Sequence, residues 1–254
     1  MLTGLNLHSG GNTVSLDELA AAPTPAHTDT YYPIPHIQLV EQVKDSLFRT
    51  GFNVTDETHA LSNERYFGLM DLKSDYSDRT TTIGLRNSHD KKFPAGLVIG
   101  NRVFVCSNLS FSGEINFNRK HTVNIFRDLP LLVDAAVGRI DAFESNQAAR
   151  VEAYKTTELD VQTADHIFMS ALRAQVVAAS HLPKVLNEYL NPQHDEFKKE
   201  GFTVWRLFNA FTEHMKNSLW MLPKRTMALQ AILDSSVRMP IESSVINEDL
   251  FQLT

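Results

Sequence analysis

Cysteine is almost missing from this 254-residue chain, which has Cys106 alone. A single thiol excludes an internal disulfide framework and any structural zinc site built mainly from cysteine, and it fits a reducing cytoplasm. Long apolar runs are missing too. No stretch approaches the roughly 18–20 residues that a membrane span needs, and the first residues lack a basic, apolar, small-residue leader pattern, so no membrane partner is expected. There is no GxxxxGK[ST] loop, no GxGxxG after a strand, no GxSxG and no helix-turn-helix spacing. Those absences disfavour P-loop nucleotide hydrolysis and readout of the major groove by a recognition helix. The sequence holds no internal repeat, heptad run or low-complexity tract.

What is present is uneven in charge. The whole chain carries 24 Lys+Arg against 30 Asp+Glu, yet residues 60–127 hold 10 Lys+Arg against 6 Asp+Glu. A basic island in an acidic protein attracts phosphates, although a solvated sheet face has the same composition.

Hydropathy patterning predicts an α+β fold. Residues 1–35, rich in Gly, Ser, Thr and Pro, read as an extended lead-in, with Tyr31-Tyr-Pro-Ile-Pro-His36 lying along the surface as a strap. Ile37, Val40, Val43, Leu47 and Phe48 recur at helical spacing up to Gly51. Strands are expected over 52–58, 64–72, 80–86, 95–100 and 102–106. The last two form a hairpin turned by Gly100-Asn101, giving an antiparallel sheet of about five strands. From Asn124 the apolar spacing becomes helical. One long helix starts at Leu129 and continues past Phe143 toward Tyr154. A second is capped by Thr163, a third opens at Pro183, and two more cover 202–215 and 223–233. The division expected is therefore 1–35, then a helix and sheet over 36–123, then a helical half of the same domain over 124–254.

Three polar clusters end the strands: Arg86-Asn-Ser-His-Asp90, Cys106-Ser-Asn108 and Arg119-Lys-His121. Asn, Ser and Asp in the first also serve an ordinary turn, by bonding their own backbone. As chemistry, Arg86 would bind phosphate or carboxylate, and Ser88, Asp90, Cys106 and His121 are the candidate catalytic groups of a hydrolase or nuclease. Cys106 alternates with apolar neighbours, which favours a buried small residue over a nucleophile. The histidines and Asp90 have no zinc-signature spacing, so neither a metal nor a cofactor is expected. Arg86, Arg102, Arg119, Lys120 and His121 are the candidate nucleic-acid contacts, with Phe111 and Phe117 as stacking platforms or else core. Lys224 and Arg225 at a helix start oppose the helix dipole, a conflict that a nearby phosphate or acidic group would remove.

Several blocks in fixed order carry a resemblance: Tyr31-Tyr-Pro-Ile-Pro-His36, Gly84-Leu-Arg-Asn-Ser-His-Asp90, Gly100-Asn-Arg-Val-Phe-Val-Cys-Ser-Asn108 and Arg119-Lys-His-Thr122. Leu207-Phe-Asn-Ala-Phe-Thr-Glu213 and Leu222-Pro-Lys-Arg-Thr226 follow. Together they resemble an uncharacterised family of phage and plasmid proteins, which implies a phage, plasmid or prophage origin and the cytoplasm of a bacterial host. The element order is also loosely similar to Rad52-like annealing proteins, an analogy at the level of fold. The resulting expectation is an accessory protein of a mobile element, binding single-stranded DNA in replication or recombination as a homo-oligomer. A hydrolase and an anti-defence inhibitor of a host protein, working through the acidic helical half, are the alternatives.

Overall fold

A computed structural model describes residues 10–103, 109–215 and 221–237. Its centre is a six-stranded antiparallel sheet whose strands lie in sequence order: β1 Asn12–Val14, β2 Val54–Ser62, β3 Arg65–Leu72, β4 Arg79–Ser88, β5 Ala95–Val103 and β6 Leu109–Arg119. Short links between consecutive strands from β2 to β6 allow only antiparallel neighbours, which is why that meander follows the chain, while β1 pairs with β2 across two helices. The α+β class and the helical second half are as the patterning predicts.

Alternation along each strand splits the core in two. Tyr66, Met70, Ile83, Leu85, Leu97, Ile99 and Phe117 point to one face. There they meet the buried stripe of α2 (His36–Arg49), namely Leu39, Val40, Val43 and Leu47, together with α3 (Ile125–Val137). Leu69 and Phe111 point to the other face and, with Val103 at the end of β5, join the core formed by α4 (Ile140–Thr156), α5 (Val161–Arg173), α6 (Leu182–Leu190), α8 (Val204–Met215) and α9 (Leu222–Asp234). A short α7 (Asp195–Lys199) completes this side.

Several local expectations give way. The lead-in is not extended throughout: it contains β1 and a short α1 (Leu16–Ala21), started by a capping box between Ser15 and Glu18. Phe48, assigned above to the apolar stripe, stands 82% exposed. The long helix after Asn124 is two helices, broken at Gly138 and Arg139. Asp160, not Thr163, caps α5, and its carboxylate accepts the Thr163 N–H at 2.7 Å.

The expected Gly100-Asn101 turn is absent, because β5 runs straight through it, with Asn101 opposite both Thr81 and Ser110. Glycine is needed at 100 for close approach. A Cβ there would collide with the Ser110 carbonyl oxygen and sit 2.7 Å from Phe111 Cα, beside the register shift between Val98 and Gly100.

One buried cation organises the helical side. Arg206 is 6% exposed, and its guanidinium donates to the carbonyls of Tyr189 (2.7 Å), Leu190 (2.8 Å) and Gly201 (3.3 Å). It thereby satisfies carbonyls at the C-terminus of α6 that have no helical partner. Arg206→Met leaves those carbonyls orphaned. The expected loss is about 2–3 kcal/mol, since bonds to charged groups are worth about 1.5–3 kcal/mol, checked by urea denaturation. Arg206→Lys reaches fewer of the three carbonyls and falls between.

Candidate functional site

Register across β3 to β6 arranges the helix-facing side chains in rows. Phe67, Arg86, Gly96 and Asn118 stand directly opposite one another in turn, and the next row is Leu69, Gly84, Val98 and Asn116. A third row holds Asp71, Thr82, Gly100 and Phe111. Two glycines in the first two rows leave a hollow in the sheet. It forms a groove of about 300 Å³, roofed on one side by Pro223, Lys224 and Met227 from the first two turns of α9. That volume is at the small end of the range for ligand sites, about 300–1,000 Å³.

The groove is amphipathic by row. In the first row Arg86 Nη2 donates to Asn118 Oδ1 at 2.5 Å, and the guanidinium lies 5.5 Å from the Phe93 ring. This clasp passes over Gly96, where a Cβ would be 2.9 Å from Asn118 Oδ1 and 3.2 Å from Arg86 Nε. Burial lowers the pKa of Arg86, the direction expected for a cation partly withdrawn from water. In the second row Leu69, Val98 and the Phe111 ring surround Gly84, whose Cβ would sit 2.8 Å from Phe111 Cζ. Beyond it the third row is sealed, since Asp71, Thr82 and Phe111 are all buried. The groove therefore has a polar mouth and an apolar blind end. Among the described residues lining it, two are cationic, Arg86 and Lys224, and none is acidic.

The strap and two of the polar clusters meet at the same end of the sheet as the groove's first row, where Asn87 points to the opposite face. His89 Nε2 bonds the Ile34 carbonyl at 2.8 Å, Asn87 Nδ2 donates to the same carbonyl at 3.1 Å, and Ile34 N–H donates to His121 Nδ1 at 3.4 Å. Asn87 Nδ2 and His36 Nδ1 are 3.0 Å apart, the His36 and His89 rings stack at 3.9 Å, and the Tyr31 hydroxyl donates to the His89 carbonyl at 3.1 Å. Burial and the neighbouring rings His89 and His121 push His36 down to about 3, and burial with His89 pushes His121 down to about 4. His36 and His121 are neutral at pH 7, the His121 ring accepting a backbone N–H and the His36 ring meeting the Asn87 amide. The arrangement is a latch for residues 31–36. Among the described residues no group of three His, Cys, Asp or Glu side chains is placed to hold a metal ion.

Each sequence-chosen residue has a definite place. Arg86 is at the groove mouth. Arg102 shares its face but lies buried farther along, ion-paired to Asp71. Arg119 points to the opposite face, where its Nη2 is 2.7 Å from Asp128 on α3. Lys120 is exposed on the turn that follows β6, and His121 belongs to the latch. The five candidate nucleic-acid contacts named above do not share one surface. Ser88 Oγ donates to Asp90 at 2.5 Å and accepts the Lys92 N–H at 3.2 Å. Against the penalty of burial, Ser88, Arg65 and the Lys92 N–H hold the Asp90 carboxyl below its usual range. That is the chemistry of a closed turn. Cys106 lies outside the described residues. Phe111 lines the groove, and Phe117 is core on the other face.

Gly84, Gly96 and Asn116 were not singled out from the sequence; their only signal is opposite register, which a single strand's sequence does not show. Lys224 did leave a signal, as a cation in an uncapped first helical turn.

The family model described as "Domain of unknown function (DUF932)" matches residues 26–232, a span that includes the latch, all four groove strands and the first turns of α9. No curated protein and no solved structure matches the chain.

Proposed function

We propose, from the premise that this chain belongs to the DUF932 family of domains of unknown function, that it binds single-stranded nucleic acid through the groove between β3–β6 and α9. One observation carries this reading: two cations from distant parts of the chain, Arg86 and Lys224, line one glycine-floored groove with no acid among its lining residues. Phosphate between them relieves two costs at once, the partial desolvation of Arg86 and the conflict between Lys224 and the α9 dipole. Neutral amides at Asn116 and Asn118 and rings at Phe67 and Phe111 supply the rest of what a single-strand site uses. The resemblance of the motif blocks to phage and plasmid proteins supports a mobile element as the setting, with replication or recombination as the process.

The test is an anisotropy titration with an oligothymidylate between about 50 and 200 mM salt. The logarithm of affinity should fall linearly with that of salt, with a slope of about −0.7 or steeper for one phosphate shared by Arg86 and Lys224. Arg86→Ala and Lys224→Ala should each flatten the slope. Lys120→Ala gauges the exposed turn independently. Flat salt dependence in the wild type removes the proposal.

A further inference from the structure

The groove's polarity runs in one direction, and that direction limits what part of a strand it takes. Its first row holds Arg86 and Asn118, its second Leu69, Gly84 and Val98 with the edge of Phe111 and, on the edge strand, Asn116, and Lys224 and Met227 line it from α9. A phosphate in the depth would meet no cation from the sheet, only the Asn116 amide on the edge strand β6, so its lost hydration would go largely uncompensated. A flat, largely apolar ring suits it, because glycine at 84 leaves the backbone bare and Phe111 and Val98 flank the space a side chain would fill. Because the third row closes the far end, a continuous backbone has no route through.

We infer that the groove takes one nucleobase out of the stack, ring inward over Gly84, with its linking phosphate at the mouth between Arg86 and Lys224. This rests on the reading that the groove binds a single strand and adds that the base, not the phosphate track, supplies much of the affinity. Extruding a base is cheapest from strands that are already single, which separates such a ligand from duplex.

The experiment compares an oligothymidylate with an abasic deoxyribose-phosphate strand of equal length at one salt concentration. The abasic strand should bind about tenfold or more weakly, as expected for a stacked base, with the same salt slope. Met227→Trp, made at a half-exposed helix position so that folding is preserved, fills the depth from the roof. It should bring the oligothymidylate down to the abasic level and leave the abasic strand unaffected. Thymidine monophosphate should displace the oligothymidylate from wild type and not from Met227→Trp. Equal affinity for both strands overturns the inference and leaves strand binding intact. Failure of both strands to bind removes strand binding as well. Displacement by a medium-chain fatty acid, with indifference to bases, assigns the groove to an amphipathic carboxylate and overturns it too.

Discussion

Asp71→Ala is expected to lower the midpoint of thermal unfolding by about 6–20 °C. Asp71 is 1% exposed on β3, accepts the Thr82 hydroxyl at 2.6 Å, and is ion-paired to the buried Arg102 from β5. Truncating the acid removes this carboxylate from beside a guanidinium in the sheet interior, and breaking a buried pair typically costs about 3–5 kcal/mol. At about 2–4 °C per kcal/mol for a protein of roughly this size, the stated range follows. The double replacement Asp71→Leu with Arg102→Met removes both charges and fills similar volume, so most of the loss should return. The same pair of variants separates stability from binding. Because Arg102 lies in the sealed part of the sheet beyond the groove, the folded double variant should bind oligothymidylate with the wild-type salt slope. Arg86→Ala should do the reverse, with near-normal melting and a flattened slope. A melting shift below about 2 °C for Asp71→Ala would show that the pair does not carry this part of the sheet.

That contrast explains what the sequence made legible. Arg86, Arg102 and Arg119 look alike as letters on strands, and the local surplus of Lys and Arg groups them together. Their fates are decided by partners far away in the chain: Asp71 on another strand, Asp128 on a helix, Asn118 across the sheet. Period-two alternation found β2 to β5 but neither β1 nor β6, and period 3.6 found α2, α6, α8 and α9, because burial of one face leaves a local imprint. The turn reading at Gly100-Asn101 failed because glycine has two uses, a positive φ and a missing side chain, and only the neighbouring β6 reveals which applies. The groove is legible only in register, since Gly84 and Gly96 form a hollow solely by standing beside Val98, Arg86 and Asn118. The motif blocks were visible at once, but two of them fold into a latch for a third. Their polar side chains at the sheet end bond backbone, which any reading of side-chain chemistry alone misassigns.

The latch makes stability depend on pH in a defined window. His36 and His121 are neutral in the fold, pushed to about 3 and about 4 from an ordinary value near 6.5. Above pH 6.5 neither folded nor unfolded chain protonates them, and full stability is present. Below it the unfolded chain binds protons that the fold refuses. Stability then falls by about 1.4 kcal/mol per pH unit for each histidine until the folded value is reached. Between pH 6.5 and 4 the two together account for a loss on the order of 5 kcal/mol, comparable with the whole stability of many domains, about 5–15 kcal/mol. His59 and His214, also lowered by burial, add to the same window. Carboxylates such as Asp90 and Asp134, held below their usual range, act only at more acid pH. The measurement is urea denaturation at half-unit steps of pH, for wild type and for His36→Asn with His121→Asn. An asparagine oxygen stands near the imidazole Nδ1 position and accepts the same bond, so the variant should be weaker at pH 7 yet show a shallower acid slope. Hydrogen exchange locates the event. The amides of Tyr32, bonded to the His121 carbonyl, and Ile34, bonded to the His121 ring, should lose protection ahead of the strand amides as pH falls. Each protonation would place a cation against two other buried rings, so the strap must open before the second can follow. Identical acid slopes in wild type and double variant would mean that these rings are not what ties residues 31–36 to the sheet.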